Sequence, residues 1–213
     1  SFISLWLKYI LSSKKKKIKI RDQIRIEIAN QIEKYSEYFM GSNPLRLDSH
    51  MHVHMIPFIF DIIIELSEYY RINFIRIPYE LKYFNIRKFN NLLSANFIKN
   101  CLLNYLSKLN SAKLKRYKIN RNDYFIGVLA SGNMTVDDVD LALKMISNRT
   151  KPKSVDILFH PGGVENKKSV DWTKNNIFQS YYSSDNRKRE RNILKSKRLK
   201  NIIEYYETIF SNR

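Results

Sequence analysis

Cysteine is almost absent: the 213 residues hold one, Cys101. A lone thiol excludes an internal disulfide framework and any thiolate metal site built within the chain, and such usage suits a reducing cytoplasm. Glycine and proline are scarce too, five of each, and no stretch is rich enough in Gly, Ser or Pro to read as an interdomain linker. With 25.5 kDa and 44% hydrophobic residues, the chain can bury one substantial core. One domain over residues 1–213 is therefore expected. No apolar run reaches the ~20 residues of a membrane span. The apolar opening from Phe2 to Leu11 has its lysines after it, the reverse of a secretory signal. Position 1 is Ser rather than Met, which we read as a start inside a longer polypeptide or after processing.

Acidic residues are outnumbered, 20 against 38 Lys and Arg, for a formal charge of +18. Basic runs stand at Lys14 to Lys17 and at Arg187, Lys188, Arg189 and Arg191. A nucleic-acid footprint needs clustering more than total charge. Lys, Ile, Asn and Tyr recur along the whole chain, a compositional bias that loads solvated faces, so no specific nucleic-acid partner is expected.

The hydrophobic pattern alternates between two periods. Residues 21–39 follow a helical spacing, with a stop at Gly41. Leu45 to Leu47 reads as a short strand, 58–69 as a helix that Pro57 can open, and 74–77 as a strand ended by Pro78. A helix over 90–109, a strand over 124–129 and a helix over 136–147 follow, the last with Thr135 and Asp138 placed as a capping box. A strand over 155–159 and a helix over 186–209 complete the order. Strand and helix in alternation predict an α/β fold of parallel βα units, an open sheet or a barrel, with chemistry at the C-terminal ends of the strands.

Histidine carries the clearest signal. Three of the four fall at positions 50, 52 and 54, directly after a strand and next to Asp48, and the fourth, His160, follows the strand at 155–159. If the segment stays extended, Asp48, His50, His52 and His54 share one face. Imidazoles beside a carboxylate favour Zn, Ni, Mn or Fe. Alternate Cβ atoms of an extended chain stand about 7 Å apart, so one or two rings at most reach one ion. If the two strands are neighbours, all four histidines share a rim. A metal with imidazole ligands and one further His suits hydrolysis, the ion polarising a carbonyl and the His protonating the leaving group. No Gly-rich phosphate loop or serine nucleophile elbow is present as a rival.

From Leu45 to Pro57 the sequence Leu-Arg-Leu-Asp-Ser-His-Met-His-Val-His-Met-Ile-Pro resembles the hallmark of the YdjC-like deacetylase family. Residues 27–32, Ile75-Arg76-Ile77-Pro78, Ser131-Gly132, His160-Pro161-Gly162, and Arg187 with Glu190 and Leu194 extend the likeness in order. The resemblance implies a distorted TIM-like (β/α) barrel, a divalent ion (Mg or Zn), and release of acetate from N-acetylated sugars such as chitooligosaccharides. It makes His50 a metal ligand, and His160 the catalytic acid or oxyanion stabiliser. Arg76 stands beside the substrate or in an ion pair with Glu80; His54 is a candidate substrate contact and His52 has no settled role. A homodimer is compatible with it. The family's opening strand with paired aspartates and its Gly-x-His segment have no counterpart here. The expectation is a barrel incomplete at its N-terminus, retaining one family ligand of three and poorly soluble by itself. The alternatives are an inactive relative or a basic protein that binds nucleic acid or an anionic surface.

Overall fold

The structure, a computed structural model, describes residues 2–38, 44–83, 94–149, 152–162 and 184–211. It is a mixed α/β chain, mostly helical, whose strands pair in parallel. Helices α1 (Phe2–Ile10) and α2 (Lys14–Tyr38) lead to β1 (Leu45–Leu47), a 3₁₀ segment (His50–Met55), α3 (Pro57–Tyr70) and β2 (Ile72–Ile75). Then come α4 (Ala95–Arg116), β3 (Tyr124–Ile126), α5 (Val136–Ser147), β4 (Val155–Ile157), α6 (Asp185–Leu194) and α7 (Lys197–Ser211). The expected stop at Gly41 and the expected helix start at Asn90 lie outside the described residues.

The chain divides into two compact units, one of Ser1–Pro78 with Leu102–Asn122, the other of Tyr79–Cys101 with Asp123–Arg213. In the first, β1 and β2 pair with Arg46 opposite Phe74 and Leu47 opposite Ile75. Helix α3 crosses from one strand to the other, Pro57 supplying its fixed φ at the first turn and Arg71 ending it in the left-handed region at φ 53°. Its apolar residues Phe60, Ile62 and Ile63 are fully or almost fully buried. Asn122, itself buried, imitates a strand: its Nδ2 donates to the Ile77 carbonyl at 2.8 Å and its Oδ1 accepts the Ile77 N–H at 2.7 Å.

In the second unit β3 and β4 pair in register from Tyr124 opposite Val155 to Ile126 opposite Ile157. The core joins Ile126, Met134, Val139, Leu143, Leu199 and Tyr206, so α5 and α7 cover this pair of strands. Gly127 has φ +145°, and a Cβ there would stand 2.8 Å from the Leu158 carbonyl oxygen. Only glycine lets the β3 and β4 ends approach so closely.

The helix expected to end at 109 runs on to Arg116, the strands expected at 124–129 and 155–159 stop at Ile126 and Ile157, and three further expectations need adjustment. The helix expected at 21–39 begins at Lys14, because lysine is a good helix former and the run from Lys14 to Lys17 needs only a solvated face. The strand expected at 74–77 runs two residues earlier, from Ile72. The single helix expected at 186–209 is two, broken at Lys195 and Ser196: the Ser196 hydroxyl oxygen accepts the Leu199 N–H at 3.2 Å and so starts α7 afresh. Two parallel pairs of strands are what the described residues form.

Candidate functional site

The histidine segment does not stay extended. Met51 and His52 take left-handed backbone angles, φ 55° and 56°, and the chain coils into a 3₁₀ turn between β1 and α3. Local hydrogen bonds favour the turn: the His52 N–H reaches the Ser49 carbonyl at 3.1 Å, and the His54 N–H reaches Ser49 Oγ at 2.9 Å. The shared face predicted for Asp48, His50, His52 and His54 is lost as a result. His50 lies exposed, whereas His52 and His54 are buried at 5% and 1% exposure.

His54 is held on both sides of its ring. Nε2 lies 2.8 Å from the Arg76 carbonyl oxygen, which can only accept, so Nε2 carries the proton. Nδ1 then accepts from the Ser49 hydroxyl at 2.6 Å. Burial dominates the ionisation of this imidazole and pushes its pKa down, which fits the neutral tautomer these partners demand. The backbone bond to Arg76 opposes the shift without reversing it.

Arg76 follows β2 as Asp48 follows β1, so the parallel pairing brings the two side chains together. Arg76 Nη1 donates to Asp48 Oδ2 at 2.5 Å, while Asp48 Oδ1 accepts the Ser49 N–H at 2.8 Å. Asp48, rather than the Glu80 considered from the sequence, is the carboxylate that Arg76 meets. The pair is about one-third exposed, 31% for Arg76 and 36% for Asp48, so water screens it and its role is more in orientation than in stability. A groove of about 350 Å³ opens beside Asp48, Ser49 and His54, at the small end of the ligand-cleft range, with walls mostly of Ile and Leu from α2, α3 and β1.

Glu80 belongs to the second unit. Its carboxylate accepts the N–H groups of Gly127 at 2.7 Å, Val128 at 3.1 Å and Leu129 at 2.8 Å, and Asn100 Nδ2 at 3.1 Å. Burial pushes this carboxyl up to about 7, against the pull of those four donors toward the charged form.

His160 lies half-buried beyond the end of β4, in the same unit. Its N–H donates to Glu190 Oε2 at 2.5 Å, and its Nδ1 stands 4.0 Å from the same oxygen. Arg187 Nη1 donates to the His160 carbonyl at 3.4 Å. Glu190 Oε1 accepts the Met134 N–H at 3.1 Å. Sequence reasoning singled out His160 but not the amide-holding work of Glu80 and Glu190. Their partners lie 20 to 56 residues away, and no local pattern announces them.

Thus Asp48, His54 and Arg76 meet in one unit, and His160, Arg187 and Glu190 in the other. Among the described residues no group of three or more His, Cys, Asp or Glu side chains is placed to hold a metal ion. One exposed imidazole, His50, falls short of the three or more protein ligands typical of a zinc site.

The sequence profile described as YdjC-like protein matches residues 4–205, nearly the whole chain. The chain belongs to the YdjC-like family. A carbohydrate deacetylase from Xenopus laevis is 26% identical over 158 residues, 66% of this chain and 48% of that protein. A carbohydrate deacetylase from Clostridium beijerinckii is 38% identical over 68 residues, 31% of this chain and 27% of that protein. The chain therefore spans about half the length of the first relative and about a quarter of the second. No solved structure matches it significantly. None of the helices among the described residues is long and apolar enough to cross a membrane.

Proposed function

We propose that this YdjC-like chain serves as a metal-dependent carbohydrate deacetylase that hydrolyses the acetamido group of N-acetylated sugars of the chitooligosaccharide type, in a distorted (β/α) barrel. The observation that carries the reading is the Asp48-Ser49-His50 motif at the C-terminal end of a parallel strand, within a family match covering residues 4–205. His50 is its proposed metal ligand, for Mg or Zn, and the bound state requires donors beyond those described. His160 is the proposed acid that protonates the leaving amine or supports the oxyanion, roles that suit an imidazole. Arg76 is proposed to face the substrate, its guanidinium oriented by Asp48. A direct substrate contact through His54 requires one ring nitrogen to leave Ser49 or the Arg76 carbonyl, so its contribution runs through the placement of Arg76.

The test is acetate release from N,N′-diacetylchitobiose, with and without added Mg or Zn, by residues 1–213 and by the longest natural polypeptide that contains them. Metal-dependent release that falls about a hundredfold or more in His50→Ala supports the reading. Absence of acetate from both polypeptides at saturating metal overturns it. A second reading is a family member without activity; among the described residues no three His, Cys, Asp or Glu side chains are placed to hold a metal ion.

A further inference from the structure

Glu190 is 0% exposed, and each of its oxygens is committed to backbone. Oε1 takes the Met134 N–H and Oε2 the His160 N–H. Arg187 stands three residues earlier on α6, so both side chains emerge from one helix face. Arg187 is 6% exposed, donates to the His160 carbonyl at 3.4 Å, and through its own carbonyl accepts the Gly162 N–H at 3.2 Å. The His160 peptide is therefore gripped at its donor and at its acceptor by one face of α6. The grip extends to the loop after β3, because Met134 shares the same carboxylate.

Burying a carboxylate is expensive, and holding backbone N–H groups does not by itself require a charge. What the charge adds is its distance from the ring: Oε2 lies 4.0 Å from His160 Nδ1, inside the range where an anion stabilises the imidazolium. We propose that Glu190 is a positioning residue for His160, fixing its backbone together with Arg187 and holding its imidazole in the protonated form from which a proton can be given. The inference rests on the reading of His160 as the acid. Against His160 the structure sets Glu190 and Arg187, charged side chains of opposite sign. Removing the anion leaves the cation, so the histidine must then lose its proton at lower pH.

The experiment is a pH titration of the histidine Cε1–H signals of the full chain by NMR, with His160 assigned from His160→Ala. In Glu190→Gln, His160 is expected to titrate about one unit lower while the other three histidines keep their midpoints. Glu190→Asp restores part of the shift. Arg187→Gln moves His160 the opposite way, and it serves as the reading if Glu190→Gln does not fold. An unmoved His160 midpoint in whichever of these variants keeps the native circular dichroism overturns the proposal. No substrate is involved, so the titration is read apart from the acetate assay, and failure of one is distinguished from failure of the other. In an active polypeptide, Glu190→Gln lowers kcat more than it alters KM, and the alkaline limb of the rate profile moves down with the His160 midpoint.

Discussion

A single carboxyl group illustrates how burial and hydrogen bonding compete. Glu80 meets four donors, which favour its charge, yet desolvation wins and lifts it from 4.5 to about 7. The folded state thus holds a proton between those values that the unfolded chain has released. Stability from this group is complete below about 4.5 and declines as the pH rises through about 7. The loss amounts to roughly 3 kcal/mol by pH 8, at 1.36 kcal/mol per unit. In Glu80→Gln an amide nitrogen would oppose a backbone N–H, an expected penalty of about 1–3 kcal/mol at pH 5. The gap between wild type and variant should narrow at pH 8, where the wild type alone has lost stability. Urea denaturation at the two pH values measures both effects, and a gap of constant size would refute the assignment.

Among the elements, α5 was the most legible. Its cap was readable at Thr135 and Asp138, and the structure has both halves of the box: Asp138 N–H to Thr135 Oγ1 at 3.2 Å, and Thr135 N–H to Asp138 Oδ2 at 2.9 Å. Thr135→Ala should lower stability by about 1 kcal/mol, read as a shift of the urea midpoint with an unchanged slope. The histidine segment was legible in composition and illegible in shape. A run from Asp48 to His54 satisfies an alternating pattern, and nothing in the alternation reveals that Ser49 will bond both the backbone and the ring of His54. The alternating residues are polar, so the pattern offers no apolar face to fix a register, and local hydrogen bonds decide its shape. The break in the last helix has the same origin, a serine whose side chain competes for backbone groups.

Over the whole molecule, the surface is the informative feature. Helix α1 buries none of its residues, and Ile3, Leu7, Ile10 and Leu11 are about half exposed or more, the last at 81%. Apolar side chains at that spacing form a stripe next to the solvated lysines of α2. The chain at high concentration should therefore self-associate, and Leu7→Lys with Leu11→Ser should reduce its scattering mass without changing its melting transition. Light scattering and a thermal scan together decide this: association that survives both substitutions places the sticky surface elsewhere.

The sequence by itself determined the chain's α/β alternation, its family and the residues worth testing, because hydrophobic period, capping chemistry and a clustered motif are local properties. Tertiary structure decided which of those residues meet. Parallel pairing set Arg76 against Asp48, burial made His54 a neutral strut, and α6 brought Glu190 to His160 across 30 residues of chain. These are long-range choices, made by whichever donors and acceptors fold into reach of a buried group that must be satisfied.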